Sequence, residues 1–164
     1  HGFVIPDSHV ELPVDNRPLE AIQEDIEPYR QLALDGVMAA HVIYDCYDCN
    51  TAVFSNRWIK YLRNNIKFTG VVFTDDLSME GAGVVGDMLN RVSAAHQAGC
   101  DMLLVCNAPD AVAQVLENWK PAVDPECRKR IEALVPQSTS PNWTTLQTLP
   151  RYQAALETIA VLNT

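Results

Sequence analysis

The feature that most constrains the fold is an apolar run at residues 70–74 that leads directly into two carboxylates, Asp75 and Asp76. The run is short, rich in β-branched residues and followed by no turn residue, which is typical of a parallel strand buried on both faces. In α/β barrels and doubly wound sheets, ligands bind at the carboxyl ends of such strands. The pattern therefore predicts a buried strand that carries Asp75 and Asp76 to a site.

Segments with strand-like and helix-like patterns alternate along the chain. Apolar runs at residues 36–43, 70–74 and 100–106 predict three buried strands, and amphipathic periodicity predicts helices between and after them. This order indicates an α/β fold with parallel strands and right-handed crossovers. Three parallel strands leave two open edges, and a complete (β/α)8 barrel needs about 250 residues. At 164 residues, the chain is therefore either an unusually small fold or part of a larger one.

Several of the predicted helices carry signals at their ends. Ser55 is the expected N-cap of one helix, and another follows Asp87 and ends at Gly99. An earlier helix begins near Pro18, and Pro28 is expected to break or kink it.

Composition and charge exclude several function classes. The net charge of −9 argues against a nucleic-acid surface, which needs clustered Lys and Arg. No run reaches the ~18 apolar residues of a membrane span, so no span is expected. The cysteines include one C-x-x-C pair, Cys46 and Cys49, without the second pair that a zinc site needs. We therefore expect reduced, unpaired thiols in a cytosolic protein.

Asp7, Ser8 and His9 form a short motif near the beginning of the sequence. By itself the motif is typical of a surface turn, because Asp and Ser favour turns. If the loop folds back, the Asp7 carboxylate orients the His9 imidazole and favours its protonated form. An unperturbed histidine has a pKa of ~6.5, so such a pair suits general acid–base chemistry near neutral pH.

Four segments of the chain agree in order and spacing with a known family. They are residues 1–9, 40–44, 70–81 and 98–107, of which the third reads GVVFTDDLSMEG. Together they resemble the motifs of family 3 glycoside hydrolases and, more narrowly, those of the bacterial β-N-acetylhexosaminidases of cell-wall recycling. The resemblance runs from His1 to about Trp119, and beyond Trp119 only helical patterns remain.

The resemblance implies a (β/α)8 TIM barrel. This chain would cover roughly the carboxyl-terminal half of it, with about three parallel strands and their helices. The implied organisation is a partial catalytic barrel at residues 1–120 and a carboxyl-terminal helical extension at residues 121–164 that packs on the same domain. The missing amino-terminal half of the barrel is then the required partner.

The resemblance also implies a chemistry for the site. Asp75, which directly follows Thr74, is the expected nucleophile, and His9, oriented by Asp7, is the expected acid–base. Asp76 is expected to hold the neighbouring loop. The implied reaction is retaining hydrolysis of terminal β-linked N-acetylglucosamine from peptidoglycan-derived saccharides, such as GlcNAc–anhydromuramic acid, in the cytoplasm. No metal ion or organic cofactor is required.

Two further histidines are candidate substrate-binding residues. His1 matches a histidine that orders a mobile loop in the family. His41 lies near the end of its predicted strand, where it either contacts the sugar or orders the catalytic loops. A hydrogen-bonded core histidine is an equally good interpretation of His41.

Alternatives from other function classes remain open. Asp75, Asp76 and His41 could hold a divalent metal ion that promotes hydrolysis. The chain could instead be a non-catalytic half-barrel that serves as a binding or scaffold subunit.

Overall fold

The computed structural model describes residues 2–136 and 138–162. In chain order the elements are β1 (Val14–Asp15), α1 (Leu19–Gln31), β2 (Gly36–Ala39), β3 (Ile43–Tyr44), α2 (Asn56–Asn64), β4 (Val71–Thr74), α3 (Met88–Ala98), α4 (Pro109–Asn118), α5 (Pro125–Glu132), α6 (Trp143–Thr148) and α7 (Pro150–Leu162). Short 3₁₀ turns lie at Ala52–Phe54 and Glu80–Val85. The chain divides into two compact units, one running to Leu134 and the other beginning at Val135.

Parallel strand pairing organises the first unit. β2 pairs with β4 in parallel, in a register that matches Gly36 with Val71 and Ala39 with Thr74. β1 pairs with β3, also in parallel. Val71 and Val72 are fully buried, as expected of a strand covered on both faces. The predicted strand at residues 70–74 and the α/β class are thereby confirmed.

The strand predicted at residues 36–43 is interrupted in its middle. The carbonyl groups of Ala40 and Val42 accept hydrogen bonds from the backbone N–H groups of Val53 and Ala52, at 3.2 and 2.9 Å. These carbonyl groups are therefore committed to the 3₁₀ turn instead of a neighbouring strand. Two short strands, β2 and β3, result from the interruption.

The third predicted strand, residues 100–106, forms only one bridge, between Met102 and Phe73. The backbone N–H of Thr74 still donates to the carbonyl of Met102 at 2.9 Å. Two residues further along, the backbone N–H of Leu104 donates to the Thr74 hydroxyl instead, at 2.9 Å. The segment runs beside β4. At Leu104, however, the Thr74 hydroxyl takes the place of a backbone carbonyl as acceptor, and the regular strand pairing ends there. The prediction of a full strand here is wrong for that reason.

The predicted ends of two helices are confirmed. The Ser55 hydroxyl accepts the backbone N–H of Trp58 at 3.0 Å at the start of α2. The Asp87 carboxylate accepts the backbone N–H of Asn90 at 2.9 Å at the start of α3. Gly99 ends α3 with φ at 110°, a left-handed conformation that glycine adopts without strain.

We expected Pro28 to break or kink the first helix. It does not break it, because α1 is continuous through this residue. The proline lies in the last turn, and its own carbonyl accepts the backbone N–H of Leu32 at 3.0 Å. Proline has no backbone N–H, so one helical hydrogen bond is lost at this position. The helix nevertheless continues to Gln31.

The hydrophobic core lies between the β2–β4 pair and helices α2, α3 and α4. Its buried members come from each of these elements and from the segments that join them. They are Val37, Val53, Ile59, Ile66, Phe68, Val72, Leu77, Val92, Ala95, Ala98, Cys100 and Val115.

A buried carboxylate ties α5 to the strand pair. The Asp101 side chain is 1% exposed and accepts hydrogen bonds from Arg63 at 2.7 Å and Arg130 at 2.6 Å. It also accepts the backbone N–H of Val72 at 2.8 Å. Because Arg130 belongs to α5, residues 121–134 group with the first unit, whereas the sequence placed the division at 120/121. The two-domain assignment itself stays a prediction.

The second unit contains α6 and α7. The Asn142 side chain caps α6 by accepting the backbone N–H of Thr145 at 2.9 Å. The rings of Trp143 and Tyr152 meet edge to face, with centroids 6.0 Å apart. Across the described residues, no helix has both the length and the apolar character needed to cross a bilayer.

Candidate active site

Asp75 stands directly after β4, where the strand delivers it to the carboxyl edge of the parallel pair. Its backbone N–H donates to the carbonyl of Ala39 at 3.1 Å, which extends the β2–β4 pairing by one step. Its Oδ1 accepts the backbone N–H of Asp76 at 2.8 Å. No further hydrogen bond reaches this carboxylate from the residues described, so the half-buried Asp75 keeps Oδ2 available.

Asp76 holds the loops beside Asp75. Its carboxylate accepts the Ser78 hydroxyl at 2.6 Å and the Ser78 backbone N–H at 2.9 Å. It also accepts the backbone N–H of Cys106 at 2.9 Å. Burial acts to raise the pKa of Asp76, but these hydrogen bonds outweigh burial and lower it below the ordinary value. Asp76 is therefore an ionised loop-holding residue, in agreement with the expectation for it.

His41 is completely buried beneath these carboxylates. Its Nε2 lies 2.9 Å from the carbonyl oxygen of Asp76, and its Nδ1 has no hydrogen-bond partner among the described residues. A carbonyl only accepts, so Nε2 carries the proton in this contact. Burial is the main influence on the pKa of His41 and lowers it, which favours the neutral ring. The ring has no exposed surface and meets the loop that carries Asp75 and Asp76, which favours the loop-ordering interpretation of His41. A role in substrate binding stays a prediction.

Asp7 and His9 form a hydrogen-bonded pair on the loop before β1. His9 Nδ1 lies 2.8 Å from Oδ1 of Asp7, and the His9 backbone N–H donates to the same oxygen at 2.9 Å. That backbone hydrogen bond is the main cause that lowers the pKa of Asp7. The hydrogen bond that the His9 side chain donates to the Asp7 carboxylate is the main cause that raises the pKa of His9, and the charges of Asp7, Asp75 and Asp76 add to it. The loop thus folds back and favours a protonated imidazole.

Gly81 joins the Asp7–His9 loop to the loop that follows Asp75. Its backbone N–H donates to the carbonyl of Ser8 at 3.1 Å, and the Ser8 residue is buried. A Cβ at Gly81 would lie 3.0 Å from the Ser8 oxygen and 3.1 Å from Cβ of His41. A side chain here would require these neighbours to shift by a few tenths of an ångström, so glycine suits this close approach. Gly81 was not singled out from the sequence, and its place at the end of the matching segment 70–81 was the available signal.

Arg17 is a second residue that sequence reasoning missed. Its guanidinium donates to both carboxylate oxygens of the buried Asp15, at 2.8 to 3.1 Å, and to Asp25 at 2.5 Å. Its carbon Cζ lies 4.6 Å from the centroid of the Phe3 ring. Arg17 therefore anchors the segment that leads to the Asp7–His9 loop. His1, the other expected substrate-binding residue, lies outside the described residues.

A cavity of about 170 Å³ is lined by residues of α1, β2 and α2. Its aromatic lining includes Tyr29, Tyr44, Trp58 and Tyr61, and neither Asp75 nor the Asp7–His9 pair borders it. The candidate active site around Asp75 and the Asp7–His9 pair is therefore separate from this cavity.

The geometry gives no support to the metal-dependent alternative. Within residues 2–136 and 138–162, no three His, Cys, Asp or Glu side chains are placed to hold a metal ion. Nε2 of His41 is occupied by a backbone carbonyl, and the carboxylate of Asp76 by loop donors.

Comparison with known proteins identifies what the chain resembles. Residues 1–134 match the family model described as the glycosyl hydrolase family 3 N terminal domain. A beta-hexosaminidase from Aromatoleum aromaticum is 49% identical over 167 residues, a match that covers 99% of this chain and 47% of that protein. The chain thus spans about half the length of the curated relatives that it matches.

Solved structures of related proteins agree with this match. NagZ from Neisseria gonorrhoeae, in complex with N-trifluoroacetyl-D-glucosamine, superposes with a TM-score of 0.78 at 32% identity, covering 100% of this chain and 48% of that one. The beta-N-acetylglucosaminidase from Thermotoga maritima gives a TM-score of 0.65 at 28% identity, over 81% of this chain and 32% of that one.

Proposed function

The chain belongs to glycosyl hydrolase family 3, and from this premise we propose that it supplies the catalytic residues of a retaining β-N-acetylhexosaminidase. One observation carries the proposal. The Asp7–His9 pair and the Asp75 carboxylate lie on two loops that Gly81 holds together, on the carboxyl side of parallel strands. A proton donor and an ionisable nucleophile are thereby presented at one edge of the sheet, where α/β barrels carry their active sites.

In the first step, Oδ2 of Asp75 attacks the anomeric carbon of the terminal sugar. The bond from that carbon to the glycosidic oxygen breaks, and a covalent glycosyl ester forms on Asp75. His9 gives its Nε2 proton to the departing oxygen, while Asp7 keeps the imidazole oriented through Nδ1. The raised pKa of His9 favours the protonated form that this step requires.

In the second step, the neutral His9 takes a proton from a water molecule. The water oxygen attacks the anomeric carbon, the ester bond to Asp75 breaks, and the sugar leaves with its original configuration. His9 is protonated again and Asp75 is ionised again, so both residues return to their starting states. The cycle uses no group besides these side chains and water.

We also propose that this chain forms the carboxyl-terminal half of a (β/α)8 barrel. Support comes from the parallel pairing of β2 with β4 and from the match to about half of the Aromatoleum and Neisseria proteins. The amino-terminal half then contributes the remaining strands of the barrel and the rest of the substrate pocket. A closed barrel would also leave no open strand edge.

The substrate we propose is terminal β-linked N-acetylglucosamine in peptidoglycan-derived muropeptides, such as GlcNAc–anhydromuramic acid saccharides. The glucosamine derivative bound by the Neisseria protein supports the sugar, and the resemblance to cell-wall recycling enzymes supports the aglycone. We place the reaction in the cytoplasm. The free thiols of Cys46, Cys49, Cys100, Cys106 and Cys127 are consistent with that reducing compartment.

Covalent trapping tests the proposal. The full-length protein that contains this chain is incubated with a 5-fluoro-N-acetylglucosaminyl fluoride, and its mass and peptide map are measured. We expect a single sugar adduct on Asp75, lost in Asp75→Asn and kept in Glu80→Gln, which removes an exposed carboxylate from the same loop. An adduct on another residue would overturn the assignment of Asp75. Sugar binding without any adduct or turnover would favour the non-catalytic half-barrel.

A further inference from the structure

We propose that His41 is a positioning residue for Asp75 and acts through the backbone of Asp76. The proposal rests on the proposed function, because it takes Asp75 as the nucleophile. It concerns a side chain that the chemistry does not touch. His41 has no exposed surface and so cannot meet the sugar directly.

Two hydrogen bonds connect His41 to the nucleophile. Nε2 of His41 donates to the carbonyl oxygen of Asp76 at 2.9 Å. The backbone N–H of Asp76 donates to Oδ1 of Asp75 at 2.8 Å. Both backbone polar groups of Asp76 are therefore engaged. Its carbonyl accepts from His41 and from the backbone N–H of Met79, the latter at 3.1 Å, and its N–H donates to the nucleophile. The imidazole fixes the residue whose N–H orients the Asp75 carboxylate.

The surroundings of His41 hold the imidazole in place. Its ring centroid lies 5.9 Å from that of Phe54. On another side, Gly81 approaches so closely that a Cβ there would lie 3.1 Å from Cβ of His41. The completely buried ring is in contact with protein on all sides, which favours one orientation with Nε2 directed at Asp76.

The unpaired Nδ1 indicates that packing alone does not account for a histidine at this position. A buried polar atom without a partner costs stability, whereas an apolar side chain would fill the same space without that cost. What the imidazole adds is the Nε2 hydrogen bond. Burial favours its neutral form, so the donor persists across the working pH range.

Loss of that hydrogen bond would leave the Asp76 carbonyl with the Met79 N–H as its remaining donor. The Asp76 peptide could then shift and, with it, the aim of Asp75. A displacement of about 1 Å in a reacting group can cost on the order of 10²-fold in rate. The effect should fall on the attack by Asp75 and not on sugar binding, because His41 has no contact with the sugar.

The test measures trapping by the 5-fluoro-N-acetylglucosaminyl fluoride in variants of the full-length protein. The anomeric C–F bond breaks, the C–O bond to Asp75 forms and fluoride leaves, so no proton from His9 is required. We expect His41→Leu to lower the first-order trapping constant by about 30- to 100-fold, with the dissociation constant changed by less than about threefold.

Two other substitutions separate the hydrogen bond from packing. Glutamine carries its amide nitrogen at nearly the position of Nε2, so His41→Gln is expected to trap within about fivefold of the wild type. Asparagine is polar but too short to reach Asp76, so His41→Asn is expected to be as slow as His41→Leu. It also replaces His41→Leu if the leucine variant does not fold.

Val42→Ala is the matched control, because Val42 is the next residue, is fully buried and makes no side-chain hydrogen bond. It should lower the melting temperature while leaving the trapping constant within about twofold. Wild-type trapping rates in both His41→Leu and His41→Asn would overturn the positioning role, as would equal slowing in Val42→Ala. An untrapped wild-type protein would instead overturn the assignment of Asp75, which is a different result.

Discussion

Nδ1 of His9 lies 2.8 Å from Oδ1 of Asp7, and the same oxygen accepts the His9 backbone N–H at 2.9 Å. One carboxylate oxygen therefore fixes both the orientation of the imidazole and the turn that carries it. Because Nδ1 carries the proton that faces Asp7, Nε2 is left for proton exchange with a substrate. The side chains are 71% and 63% exposed, so this pairing depends on the local turn and not on burial.

The charge of Asp7 should set the pH range of the reaction. Asp7 raises the pKa of His9 above its ordinary value, and the first step needs the protonated imidazole. The ratio kcat/KM should therefore fall as pH rises through that raised pKa. In Asp7→Asn, the alkaline limb of the profile should move to lower pH, and kcat/KM at pH 7.5 should fall at least about tenfold.

The pH profile of an aryl β-N-acetylglucosaminide with a poor leaving group checks this prediction. Glu11→Gln is the control, because it removes one exposed negative charge from the same loop without touching the pair. An alkaline limb that stays in place in Asp7→Asn would remove Asp7 from the mechanism.

The close approach at Gly81 should make this position sensitive to a single methyl group. In Gly81→Ala, the new Cβ would lie 3.0 Å from the Ser8 oxygen and must push the Asp7–His9 loop away. Steps that need His9 should suffer most, so kcat/KM should fall about tenfold or more for poor leaving groups. Substrates with activated leaving groups should be much less affected. Equal losses of kcat/KM for both substrate classes would contradict this role. The matched control is Gly83→Ala, because a Cβ at Gly83 would meet only side-chain atoms at 3.5 Å or more.

The Thr74 hydroxyl should stabilise the segment that runs beside β4. In Thr74→Val, the shape is kept but the backbone N–H of Leu104 loses its acceptor in a partly buried setting. An unsatisfied donor of this kind costs about 1–3 kcal/mol. Urea unfolding should report that loss, and Thr74→Ser, which keeps the hydroxyl, should recover most of it. Equal stability of the valine and serine variants would show that the hydroxyl is not needed.

The Asp101 carboxylate should be a major determinant of stability. In Asp101→Asn, Arg63 and Arg130 lose their shared counter-charge while remaining largely buried. Removing one partner of a buried ion pair typically costs about 3–5 kcal/mol. Denaturant unfolding should show this loss, whereas Glu126→Gln, which breaks an exposed pair with Lys129, should have no measurable effect. If the unfolding free energy of Asp101→Asn changed no more than that of the control, the Asp101 ion pairs would not be a major determinant of stability.

Part of this molecule was predictable because its causes are local. The strand at residues 70–74 follows from a continuous apolar run, and α3 is bounded by the side chain of Asp87 and the left-handed Gly99. The Asp7–His9 pair joins residues two apart, so a loop that turns back is enough to form it. Patterns of this kind can be read from neighbouring residues.

Other features were not predictable, because they join residues far apart in the chain. The strand expected at residues 100–106 became a single bridge because the Thr74 hydroxyl, thirty positions away, accepts the backbone N–H of Leu104. No periodicity reports which acceptor a distant donor will meet. The contact between Arg130 and Asp101, twenty-nine positions apart, is of the same kind, and it groups α5 with the first compact unit.

The amino-acid sequence by itself determined the α/β class, the strand that leads to Asp75 and the motifs shared with family 3 glycoside hydrolases. These depend on burial periodicity and on short-range hydrogen bonds. Only the tertiary structure decided that His41 meets the carbonyl of Asp76 and that Gly81 lies against Ser8. Such contacts form when loops from separate strands pack at one edge of the sheet, so their geometry depends on the fold as a whole.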